Sequence, residues 1–113
     1  MVSLVLSTEV RNGQAVVTVA GELDTLTSTR LDRHLAEVLR EHGTLIILEI
    51  SGVTFMDSRA LGVILHYWKQ LAALDGRLAL AGARYRSTKV LWVTGLIERL
   101  PVYDDVESAL ADP

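Results

Sequence analysis

Residues Leu45–Ile50 read LIILEI, an apolar run of strand length with a helical pattern on either side. Such a run reads as a central strand covered on both faces, an arrangement produced by parallel strands joined by crossover helices. With this strand in place, the rest of the chain is predicted to alternate strand and helix around it.

Upstream, Arg11-Asn12-Gly13-Gln14 contains Asn-Gly, a strong short-hairpin signal. It separates the short apolar run Val2–Leu6 from the β-branched segment Ala15–Ala20, and the two are predicted to pair antiparallel. Gly21-Glu22-Leu23-Asp24-Thr25 leaves the second strand, and Asp24 or Thr25 can cap the helix that follows. In that helix Leu31, Leu35, Val38 and Leu39 recur at helical spacing, with Arg30, Asp32, Arg33, Glu37, Arg40 and Glu41 on the other face. Gly43 is its expected stop.

Downstream, Ser51–Met56 reads as a turn. Asp57 or Ser58 starts a second helix with the core stripe Leu61, Ile64, Leu65, Trp68, Leu71 and Ala72, ended by Asp75-Gly76. Leu78–Ala81 is a further strand. Ser87 or Thr88 caps a third helix that runs through Val90, Leu91 and Thr94 to Gly95. Leu100–Tyr103 is a last strand, placed near an edge by Pro101, and Asp104 or Asp105 opens a closing helix through Leu110. The expected fold class is mixed α/β: a mostly parallel sheet with an N-terminal antiparallel hairpin and about four helices, in one domain over residues 1–113.

Half of the 113 residues are hydrophobic, enough to build a core. A net charge of −3 argues against nucleic acid, whose binders carry a basic patch or stripe. No Lys- and Arg-rich amphipathic helix suggests a membrane surface. No stretch reaches the ~20 apolar residues of a membrane span, and the N-terminal apolar stretch is too short for a signal peptide. With no cysteine, disulfide and thiol chemistry are excluded, and a cytoplasmic protein is expected.

Enzymatic motifs are missing. Neither a dinucleotide fingerprint nor a P-loop occurs. His34, His42 and His66 lack metal-site spacing, and Ser58 sits in no nucleophile elbow. Trp68 and Trp92 fit helix core stripes. No catalytic residue, metal or cofactor is therefore expected. Gly62 falls inside a helical pattern, where close packing on the sheet or close approach of another chain would account for it.

Three motifs occur in order along the chain. Asp57-Ser58-Arg59-Ala60-Leu61-Gly62 resembles the D-S-(Ser/Thr)-G-L-G motif of STAS domains, and specifically of bacterial anti-sigma factor antagonists (anti-anti-sigma factors). Gly21-Glu22-Leu23-Asp24, followed by Thr27 and Ser28, resembles that family's G-E-x-D signature. Gly95-Leu96, Pro101-Val102-Tyr103-Asp104 and Ala109-Leu110 resemble its C-terminal end. The resemblance runs from Val10 to Leu110.

The resemblance implies a non-enzymatic partner switch in bacterial transcription regulation. The antagonist binds an anti-sigma factor, typically a kinase with a histidine-kinase-like ATPase fold, and so frees the sigma factor. The kinase then phosphorylates the hydroxyl residue after D-S, and the added negative charge breaks the complex. Here that acceptor position is Arg59, which that chemistry cannot phosphorylate, and the motif's following glycine is Ala60. The usual off-switch is thus expected to be absent; Ser58 is the nearest substitute acceptor. The expected contact residues are Asp24, Asp57, Ser58, Arg59, Val63 and Tyr67, with the last three on one stripe. Two readings stand for Arg59, a local pair with a carboxylate such as Asp57 or a salt bridge to a partner. Two also stand for Val63 and Tyr67, packing within the chain or contact with the partner. The alternative function is a STAS subunit of a lipid-transporting ABC system that binds its ATPase subunit. A homodimer is also compatible with the sequence.

Overall fold

The computed structural model describes residues 4–112. Asn12 and Gly13 both take positive φ, 52° and 76°, which closes the expected hairpin between β1 (Val5–Arg11) and β2 (Gln14–Leu23). The two strands pair antiparallel from Val5 opposite Ala20 to Arg11 opposite Gln14. Val2 and Ser3 of the expected first strand lie outside the described residues.

The chain then alternates through α1 (Ser28–His42), β3 (Leu45–Met56), α2 (Ser58–Ala73), β4 (Arg77–Ala81), α3 (Lys89–Val93), a 3-10 turn at Leu96–Glu98, β5 (Val102–Tyr103) and α4 (Val106–Ala111). The sheet order is β1-β2-β3-β4-β5, and every pair after the hairpin is parallel. Connections between neighbouring parallel strands, all of one hand, put their helices on one face. The larger core accordingly joins the sheet to Leu31 and Leu35 of α1, Ile64 and Leu71 of α2, and Leu91 of α3. On the opposite face Ala109 of α4 packs with Val16, Ile47, Ala79 and Ala81. LIILEI is buried from both sides, with Ile46 and Leu48 in the larger core and Ile47 in the smaller.

Ser51–Met56 is not a turn. β3 continues through it to Met56 and pairs with β2 beyond the point where β4 ends opposite Glu49. Burial of Val53 and Met56 drives the extension. Gly52 permits it, because a Cβ there would stand 3.0 Å from the Ala20 Cβ. The register slips between Thr18 and Ala20 and again between Gly21 and Glu22. Gly21 absorbs the irregularity with φ 110°. The result is a two-stranded parallel ribbon that projects past the sheet.

Helix positions also shift. α1 begins at Ser28 with Thr27 as its N-cap, so Asp24 and Thr25, the expected cap residues, lie in the loop before it. In α2 the buried residues are Ala60, Leu61, Ile64, Tyr67 and Leu71; Leu65 and Trp68 are half-buried, and Ala72 is exposed. Among the described residues, no helix is long and apolar enough to cross a membrane.

Candidate functional site

The ribbon delivers two chain turns side by side. Beyond Leu23 comes the loop Asp24–Thr27, and beyond Met56 comes Asp57 at the start of α2. The Asp57 N–H donates to the Leu23 carbonyl at 3.0 Å, so the two exits are stitched at the backbone. A side-chain bond reinforces this, from the Thr25 hydroxyl to Asp57 Oδ2 at 3.3 Å.

Asp57 is the N-cap of α2. Its backbone is extended (φ −102°, ψ 178°), and its Oδ1 accepts the Ala60 N–H at 3.0 Å. This is the normal use of a short acidic side chain before a helix, satisfying one orphan donor of the first turn.

Asp24 organises the other loop. Its Oδ1 accepts the N–H groups of Leu26 and Thr27, each at 2.9 Å. Its own N–H donates to Thr27 Oγ1 at 2.9 Å, and the Thr27 hydroxyl donates to the Glu22 carbonyl at 2.7 Å. The Ser28 hydroxyl closes onto the Thr25 carbonyl at 3.1 Å. Backbone donation, from Thr27 first, holds the Asp24 carboxyl below the usual carboxylate range. The helix N-cap itself is Thr27, which makes no side-chain cap bond.

Ser58 and Arg59 are both exposed on the first turn of α2. Arg59 forms no ion pair with any described residue, so the local pairing with Asp57 is not formed. A cation in this turn is opposed by the helix macrodipole by ~0.3–1 kcal/mol. No acidic residue in that turn offsets it. Arg59, Gly62, Val63 and His66 of α2, with Asp32 of α1, line an open groove of about 360 Å³.

The expected stripe of Arg59, Val63 and Tyr67 breaks at its third member. Val63 is half-buried beside the groove, but Tyr67 is 5% exposed. Its hydroxyl lies 2.7 Å from Asp32 Oδ1 and 3.0 Å from the Asp32 carbonyl, tying α2 to α1. Burial, followed by the Asp32 hydrogen bond and charge, pushes its pKa up to about 12. Tyr67 therefore packs within the chain, with its ring buried between α2 and α1.

Gly62 is exposed, and a Cβ added there would meet nothing within 4 Å. Packing on the sheet does not require it. Of the histidines, His34 Nε2 sits 2.7 Å from Thr8 Oγ1, His42 is exposed beside Glu41, and His66 meets Tyr67 edge-on. No group that could hold a metal ion occurs among the described residues.

Two exposed apolar residues of this end escaped the sequence reading. Leu26 is 86% exposed at the tip of the Asp24 loop, and Phe55 is 49% exposed at the end of β3. A lone leucine in a loop and a phenylalanine in an expected turn carry no periodic signal that marks them as surface features.

A five-stranded sheet of this order, with a capped helix opening at the end of its projecting ribbon, defines the STAS class of domain. The STAS domain model matches residues 6–109, and the chain belongs to that family. An anti-sigma F factor antagonist from Paenibacillus polymyxa is 31% identical over 97% of this chain and 95% of that relative. The crystal structure of an anti-sigma factor antagonist from Mycobacterium paratuberculosis superposes with a TM-score of 0.87 at 23% identity, covering 96% of this chain and 92% of that one. The unphosphorylated form of the anti-sigma factor antagonist SpoIIAA gives a TM-score of 0.71 at 22% identity, covering 96% of each chain. A phosphorylated form of SpoIIAA gives 0.72 at 24% identity, covering 96% of this chain and 97% of that one.

Proposed function

We propose that this chain is an anti-sigma factor antagonist that docks through the end of its β2–β3 ribbon and the first turns of α2. Its partner is an anti-sigma factor of the ATPase-fold kinase type, and docking frees the sigma factor that this partner holds. The observation that carries the reading is the exposed Ser58–Arg59 turn, held out by two loops bonded to each other. The arrangement presents an exposed surface suited to docking. The named relatives favour this role over that of a lipid-transporter subunit.

The phosphorylation that ordinarily turns such a protein off has no acceptor at position 59. Arg59 has no hydroxyl to take a phosphoryl group, and it carries positive charge where phosphorylation would place negative. Ser58 lies one residue earlier, about 100° round the helix, so its hydroxyl does not substitute for one at position 59. Ser58, Arg59 and Val63 form the contact surface, with Asp24 and Asp57 behind it as the groups that set its shape.

Isothermal titration of the purified chain against the anti-sigma factors of its own organism tests the binding. Intact-mass measurement after incubation with Mg-ATP tests the missing switch. Saturable binding with an unchanged mass is expected. No binding to any of them would refute the role, and stoichiometric phosphate on Ser58 would refute the unswitched state.

A further inference from the structure

We infer that Leu26 and Arg59 act as a two-point anchor for a protein partner that offers an apolar pocket flanked by a carboxylate. This rests on the function proposed above and specifies the chemistry of the partner.

Leu26 is the most exposed large hydrophobic among the described residues, at 86%. It is not on a slack loop. Its own N–H is bonded to Asp24 Oδ1, the next N–H goes to the same oxygen, and the residue before it reaches Asp57. The hydroxyls of Thr27 and Ser28 fasten the flanks to the Glu22 and Thr25 carbonyls. None of these bonds uses the Leu26 side chain. A polar residue would serve the turn equally well and would leave no aliphatic group in water. With the backbone already held, covering this side chain costs mainly its own rotamer freedom, and the rest of the hydrophobic gain goes to affinity.

Arg59 supplies the second point. It stands exposed with no ion pair to any described residue, against the field of its own helix. A partner carboxylate would complete it, and the planar guanidinium is suited to bidentate capture. The Thr25–Asp57 and Asp57–Leu23 bonds join the two loops, so the backbone positions that carry the anchors are held together before any partner arrives. Phe55, half-exposed at the same end of the ribbon, extends the apolar part of the surface. A purely anionic ligand would answer Arg59 but leave Leu26 in water, which favours a protein surface as the occupant.

The test uses the full chain and the anti-sigma factor of its own organism. Leu26→Asp is expected to weaken binding on the order of 100-fold, Leu26→Ala about tenfold, and Arg59→Glu at least about tenfold. Leu74→Asp, at the exposed far end of α2, is expected to leave affinity within about twofold. Thermal melts by circular dichroism confirm that each variant is folded. If wild type fails to bind, the proposed function falls. If wild type binds and the folded Leu26 and Arg59 variants bind equally well, only this inference falls. Variants that lose self-association in sedimentation but keep the anti-sigma factor would assign the surface to a second copy of the chain, and would also overturn it.

Discussion

The Thr25 hydroxyl donates to Asp57 Oδ2 at 3.3 Å, joining two loops 32 residues apart in sequence. Asp57 simultaneously caps α2 through its other oxygen. One carboxylate thus fixes both the start of α2 and the position of the neighbouring loop.

Asp57→Ala removes the cap and the loop bond together. A loss of about 1 kcal/mol is expected, within the usual range for an N-cap. For a chain of this size that lowers Tm by about 4 °C, measurable by differential scanning calorimetry. Thr25→Val leaves the cap intact and should cost less.

Gly62→Ala should separate stability from binding. With nothing within 4 Å of the added Cβ, the substitution gains helix propensity and stabilises the chain by about 0.5–1 kcal/mol. If a partner's backbone approaches this part of the groove, the same methyl weakens docking. The expected result is a raised Tm with a raised Kd. A raised Tm with unchanged affinity would remove Gly62 from the interface.

Tyr67→Phe tests the α1–α2 tie. Loss of the bond to Asp32 should cost about 1 kcal/mol. The pH dependence has a definite sign. Folding lifts the phenol from an ordinary value of 10.0 to about 12, so folding favours the protonated form. The stability from this bond is complete below about pH 10 and is lost as pH rises through about 12. Urea midpoints measured between these limits should fall less steeply for Tyr67→Phe than for wild type.

Arg59→Ser restores a hydroxyl at the acceptor position without disturbing the cap. Incubation with the anti-sigma kinase and Mg-ATP should then add one phosphate at residue 59, located by peptide mass spectrometry, while wild type stays unmodified. Phosphate on both proteins would show that another residue is the acceptor.

The fold was legible where local signals agreed. LIILEI announced a strand buried on both faces, and Asn12-Gly13 announced the hairpin. Ser51–Met56 was misread because Ser-Gly carries turn chemistry, while its pairing with β2 is a long-range fact with two register slips that no local pattern reveals. Tyr67 shares a four-residue spacing with Arg59 and Val63, which left packing within the chain and contact with a partner both open. Each four-residue step overshoots a full turn by about 40°, so by Tyr67 the stripe has drifted about 80° and faces α1. Asp24 and Asp57 were legible as helix-start residues. Their division of labour, one shaping a loop and one capping a helix, depends on which backbone N–H groups the fold brings within reach. Leu26 was invisible for a related reason: exposure of a single loop residue is set by tertiary structure alone.

The most direct measurement is release of sigma factor from a preformed sigma–anti-sigma complex, followed in time with Mg-ATP present. Adding this chain should release the sigma factor and keep it released, whereas the Arg59→Ser variant should release it and then allow recapture as phosphate accumulates. A sigma factor that stays bound when wild type is added, or is recaptured at the same rate with both proteins, would contradict the account.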